Sequence, residues 1–219
     1  MSGLRLAALY GIKPHLLGFC GPKNDGMLLK FLNGDAVPLK QIRKILEQFE
    51  GAYPYYEFIA KKNGIKDPFN KKVVRAYWVG NKLLEKAGGI KSHHSYHVLV
   101  VGSVTGRIVL KGKLLDLCRI GWGRVTKVKV KSHAYRQAGP KLKVIYRPLI
   151  GRKKLKLGKP IRKEIDWDKD LLPKVKIGDW VSFHWNQAVE ILAKEDIKNL
   201  EKYTKIALDY LWKNQPKSQ

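Results

Sequence analysis

Two short stretches hold the residue types best able to do chemistry. Asp116-Leu117-Cys118-Arg119-Ile120-Gly121-Trp122-Gly123-Arg124-Val125 supplies a thiol ahead of two glycines. Gly178-Asp179-Trp180-Val181-Ser182-Phe183-His184-Trp185-Asn186-Gln187-Ala188 supplies an imidazole near the end of a strand-like run. One thiolate with one imidazole suits a borderline or soft metal such as iron or zinc. Two ligands fall short of the four that close a structural zinc site. Cys118 and His184 therefore point to a shared or transient centre, completed by a partner or by the cargo's own ligands. On an alternating strand His184 shares a face with Trp180 and Ser182, opposite Val181, Phe183 and Trp185, which predicts a partly solvated imidazole. Gly121 and Gly123 let backbone approach a ligand or turn sharply.

Further ligand candidates lie upstream. His93-His94-Ser95-Tyr96-His97 is dense for a chain with six histidines. Gly18-Phe19-Cys20-Gly21-Pro22 offers a second thiol close to His15. If the first half folds against the second, Cys20, His94 or His97 could add the missing ligands. The competing reading is loop histidines hydrogen-bonded to backbone at a junction. No CxxC or HExxH spacing is present. A Cys–His pair can also act as nucleophile and base, but no orienting third group, phosphate loop or paired carboxylates accompany it. The residues favour binding over catalysis.

The order Cys-x4-Gly-x-Val, several short strands, Gly-Asp-Trp-Val-x-x-His-x-x-x-Ala and a terminal helix resembles the hydrogenase assembly chaperones of the HypC/HupF type. The resemblance covers residues 114–212. It implies that Cys118 and His184 hold an iron centre for delivery to a metalloenzyme assembly partner. Cys118 is internal here, whereas the family's chains open with the Cys, and Trp122 stands where the family has Pro. The opening region and the histidine cluster resemble a family of uncharacterised prokaryotic proteins, which implies no activity.

Charge is the strongest compositional signal: 44 Lys+Arg stand against 18 Asp+Glu, a net +26. No acidic residue falls between Asp116 and Glu164. Such a field attracts an acidic protein partner or nucleic acid. The nucleic-acid alternative places Lys127, Lys129, Lys131, Arg152, Lys153 and Lys154 on phosphates. Trp122, Tyr135, Tyr146, Trp167 and Trp185 would then serve as stacking surfaces. No apolar run reaches the length of a membrane span, the start is too short for a signal sequence, and two cysteines make no disulfide framework. A cytoplasmic protein that needs no membrane is expected.

The elements that must position these residues change character along the chain. Residues 1–92 read as a helical region. Leu39, Ile42, Ile45, Leu46 and Phe49 recur at helical spacing after Pro38. A second helix covers residues 54–63. A third has Asp67 as cap and Pro68 at its first position, and it ends at Gly88-Gly89. After His97 the period becomes two. Residues 98–104 and 107–110 suggest a hairpin across Thr105-Gly106. Thr126-Lys127-Val128-Lys129-Val130-Lys131 alternates, and Leu142, Val144 and Tyr146 repeat the pattern. A last strand over residues 175–185 precedes a helix from about Lys194, with Glu195 and Asp196 in its first turn. The expected fold class is α+β: helices over 1–92, then over 93–219 a small OB-like antiparallel β-barrel with a C-terminal helix.

Overall fold

The computed structural model describes residues 1–22, 26–129, 139–151 and 154–214. Lys131, Tyr135, Arg152 and Lys153 lie outside the described residues.

Helix α1 (Gly3–Leu16) runs through the interior. Leu6, Ala7, Ala8, Leu9, Tyr10 and Ile12 are all buried, so apolar groups occupy its whole circumference. A helix of that kind belongs inside a core. Ser2 caps it, its hydroxyl accepting the Arg5 N–H at 3.3 Å. Around it lie α2 (Met27–Asn33), α3 (Leu39–Glu47), α4 (Tyr53–Lys62) and α5 (Lys71–Trp78). In α3 most of the expected stripe is inward, with Ile42, Ile45 and Leu46 buried and Phe49 just beyond the helix buried too, while Leu39 at its first position is exposed.

The third expected helix is shorter at both ends. Asp67 and Pro68 form a turn, in which Asp67 Oδ1 accepts the Phe69 N–H at 3.0 Å. Asn70 is the cap of α5, accepting the Lys72 N–H at 2.9 Å. The helix stops at Trp78 because Gly80 takes a left-handed φ of +92°. A Cβ there would lie 2.1 Å from the Tyr203 ring. Leu83 and Leu84 fall instead in a separate 3-10 turn, Lys82–Lys86.

The expected hairpin at 98–110 is absent. His94–Tyr96 form a helical turn (α6) that continues into a π-helical turn, His97–Val101, ended by Gly102 at φ +71°. Consecutive Val98 and Leu99 are both buried, as helical packing allows and a one-sided strand does not. Beyond Gly102 the chain is held by local bonds, Leu110 N–H to Gly102 O at 2.7 Å and Ser103 Oγ to Ile108 O at 2.8 Å.

After α7 (Lys113–Cys118) the chain enters the barrel: β1 (Gly121–Lys129), β2 (Lys141–Tyr146), β5 (Ile161–Asp166), β6 (Trp180–His184) and β7 (Gln187–Ile191). It closes in the order β1-β2-β5-β7-β6. That is a five-stranded Greek-key arrangement of the OB type. The barrel is mixed rather than antiparallel throughout, because β5 and β7 pair parallel at Asp166 and Gln187. The strand expected over 175–185 is the shorter β6, and β5 and β7 have no counterpart in the sequence reading. β3 (Leu149–Ile150) and β4 (Lys156–Leu157) form a separate two-stranded ribbon.

Val125, Leu142, Val144, Ile165, Val181 and Phe183 fill the barrel. A bulge between Val125 and Lys127 shifts the alternation of β1. Gly121 is required by packing, since a Cβ there would lie 2.1 Å from the Phe183 ring. Helix α8 (Lys194–Lys213) buries Leu200, Tyr203, Thr204 and Ala207. The largest apolar cluster is continuous from α1 and α5 to Ile120, Trp122, Val189 and Leu192, so the helices pack on the outer wall of the barrel. Among the described residues no helix is long and apolar enough to cross a membrane.

Candidate metal centre

Cys118 ends α7, His184 ends β6 and His94 opens α6. The fold brings them together: each offers one ligand atom, and these atoms lie within 4.8 Å of one another. All three residues are buried. The partly solvated imidazole expected at position 184 is not found; His184 is 2% exposed. Its face of β6 points away from the barrel interior as the alternation requires, but α1 covers that face. The Tyr10 hydroxyl lies 3.1 Å from Ser182 Oγ. The Tyr10 carbonyl accepts the Nδ1–H of His184 at 2.7 Å.

That bond fixes the proton on Nδ1 of His184, because a carbonyl oxygen can only accept. Its Nε2 is buried without a hydrogen-bond partner. His94 donates from Nε2 to the Cys118 carbonyl at 2.8 Å, and its Nδ1 lies 3.2 Å from the Tyr77 hydroxyl. That hydroxyl in turn donates to the Gly51 carbonyl. Trp78 packs against both rings, with centroids 4.5 Å from His94 and 5.4 Å from His184.

Burial sets the protonation states. It pushes the Cys118 thiol up to about 12, with the Trp185 indole pulling weakly the other way. It holds His184 down to about 4 against the pull of the Tyr10 and Cys118 carbonyls. It also holds His94 well below the usual imidazole range, and the neighbouring His184 adds to that shift. The cluster is therefore a neutral thiol and two neutral imidazoles at physiological pH. The Nε2 of His184 has a free lone pair, whereas the Nε2 proton of His94 would have to give way and the thiol would have to lose its proton.

The cluster lines a cavity of about 30 Å³ with walls of Phe19, Phe49, Trp78, Val104, Ile108 and Trp185. Trp185 and Asn186 make the two-residue turn between β6 and β7, with φ of +50° and +61°. Two left-handed residues suit the right-handed twist of a hairpin, but Trp is a costly occupant. The turn places the Trp185 ring on Phe19, centroids 4.9 Å apart, at the cavity wall. Cys20 lines the same cavity but is not part of the three-residue cluster, and burial pushes its thiol up to about 12. His97 stands outside the cluster, its Nδ1 3.5 Å from the Tyr77 hydroxyl. Tyr10, Gly51, Tyr77 and Trp78 hold the site and were not foreseen. Two of them act through backbone carbonyls, which no side-chain motif announces.

The basic candidates lie elsewhere. Lys127 is exposed on β1, Lys129 pairs with Glu164, and the Lys154 ammonium sits 4.5 Å from the Trp212 ring centre. Trp122, Tyr146, Trp167 and Trp185 are buried, so they present no stacking face to a nucleic acid.

No curated protein and no solved structure matches the chain. A family match spans residues 1–91 and 87–217. It takes in the stretch that resembles the HypC/HupF-type chaperones and gives that stretch no such identity. The likeness of the first half to an uncharacterised family is borne out and extends over the second: the chain belongs to the family described as "Family of unknown function (DUF6390)".

Proposed function

We infer that this is a metal-binding protein, in which His94, Cys118 and His184 hold one transition-metal ion, iron or zinc. The observation that carries the reading is the convergence of two buried imidazoles and a buried thiol, with one ligand atom of each within 4.8 Å of the others. The Nε2 of His184 lacks a hydrogen-bond partner, as do those of His15, His93 and His97, but His184 has a second imidazole and a thiol beside it, a set that suits a metal ion. The surroundings fit. Ligating histidines usually donate their other N–H to a carbonyl or similar acceptor. His184 does so to Tyr10. His94 could do so to the Tyr77 hydroxyl once its Nε2 proton gives way to the ion. Ligand atoms around a tetrahedral ion stand roughly 3.5 Å apart, so a modest contraction of the cluster would close it.

Three ligands inside one chain favour a held ion over one shared with a partner. The narrower reading, a metalloenzyme assembly factor docking on an acidic partner, adds to this the net charge of +26. Elemental analysis of protein purified without chelators tests the metal reading. About one ion per chain is expected, with loss in Cys118→Ala and in His184→Ala. Full loading of the Cys118→Ala variant, or a metal-free protein that takes up neither iron nor zinc, overturns it.

A further inference from the structure

A second pocket, independent of the metal cluster, opens at one end of the barrel. It is bounded by α7, by β3, by the end of β2 and by the Trp185-Asn186 turn, and its volume is about 910 Å³. That size falls in the range of small-molecule sites, which often occupy the mouths of barrels. Leu110, Leu115, Leu117, Leu149 and Leu155 give it an apolar wall.

Its charges are unequal. Asp116 is already satisfied: Oδ1 accepts from Arg119 at 2.8 Å and from the Leu149 N–H at 2.9 Å, and Oδ2 accepts from Tyr146 at 3.0 Å. Arg119, 1% exposed, neutralises that carboxylate. Lys163 is left over. It points into the barrel end on the same side of β5 as buried Ile165, its ammonium 4.9 Å from the Tyr146 ring centre and 5.6 Å from that of Phe183. Among the described residues no carboxylate lies within ion-pairing distance of it. Lys111 and Lys113 add exposed positive charge at the rim.

A half-buried cation over aromatic rings and a leucine wall define a ligand by complementarity. We propose that this pocket binds a small amphipathic carboxylate, whose acid group pairs with Lys163 and whose apolar body lies on the leucines. A medium-chain acyl acid has that chemistry. Trp185, at the metal-site cavity, and Asn186, at this pocket, are neighbours on one turn, so the two sites share a wall.

Calorimetric titration of the full chain with octanoate and octan-1-ol tests the proposal. Octanoate should bind saturably and about ten-fold or more tighter than the alcohol, as expected for a partly buried charge pair. Lys163→Met, an apolar isostere suited to the barrel interior, should lose that advantage over the alcohol, and Lys163→Arg should keep most of it. Equal binding of acid and alcohol, an unchanged affinity in Lys163→Met, or the absence of saturable binding overturns the proposal. Metal content is read in the same samples and bears only on the other site.

Discussion

Tyr10 supports His184 from behind through its backbone carbonyl, at 2.7 Å, and anchors its own ring through its hydroxyl, which donates to Glu190 at 2.7 Å. The imidazole therefore takes its orientation from a helix in the other half of the chain. Glu190 is itself held by Arg75 at 2.5 Å, and Arg75 also reaches Asp196. α1, α5, β7 and α8 meet in this one buried network.

Removing the Tyr10 hydroxyl should loosen it. Tyr10→Phe keeps the ring and the carbonyl but leaves Glu190 Oε1 without its donor. A loss of about 1–3 kcal/mol is expected, read as a lower denaturation midpoint. Metal loading should survive, because the contact to His184 is backbone.

Arg75→Met should cost more. Glu190 is 3% exposed, and its carboxyl is already pushed upward by burial against the pull of Arg75. Without the guanidinium the carboxylate is stranded, a change typically costing about 3–5 kcal/mol when a buried pair loses one partner. Arg75 keeps some exposure, so the lower end of that range is expected, and Arg75→Met/Glu190→Met should recover much of the loss. Urea denaturation of the two variants checks both statements.

Acid should unfold the protein early. Burial holds His93, His97 and His184 down to about 3, 4 and 4, from an ordinary 6.5, and holds His94 well below that ordinary value. Above pH 6.5 these rings are neutral folded and unfolded, and they contribute no pH dependence. As pH falls from 6.5 toward 4 the unfolded chain takes up protons that the folded chain refuses, so stability drops. Four such groups give a slope of up to about 5 kcal/mol per pH unit. Glu190, shifted upward, opposes this as one group. Denaturation midpoints should be flat from pH 7 to 8 and fall steeply below 6.5.

Metal affinity should run the same way for a different reason. The Cys118 thiol, held up to about 12, must lose its proton to ligate. One proton released per ion gives about a ten-fold gain in affinity per pH unit across the neutral range. Chelator competition at two pH values measures it, and a pH-independent affinity would show that sulfur is not a ligand.

Local pattern made much of the barrel legible. Leu142, Val144 and Tyr146 alternate inward as read, and α8 starts at Lys194 with its acidic first turn. Where tertiary packing decided, the sequence was mute. The apolar run at 98–101 has no period of its own and became helical, with the adjacent Val98 and Leu99 both buried and Val101 exposed. Gly80 breaks a continuous helical stripe through the approach of Tyr203, 123 positions later. At the site, Cys118 and His184 stood out by motif, while His94 was one of several histidines until α6 gave it a direction. The solvent exposure expected of His184 failed because alternation tells which face a residue takes and not what lies on that face.

The ring of His184 leans on residue 10 and the ring of His94 on residue 77. A fragment holding only the barrel and terminal helix would keep all three candidate ligands and lose the props that aim two of them. Cutting the polypeptide near position 92 should thus leave a coordination set without its orientation, and only co-expression of the missing piece should restore it.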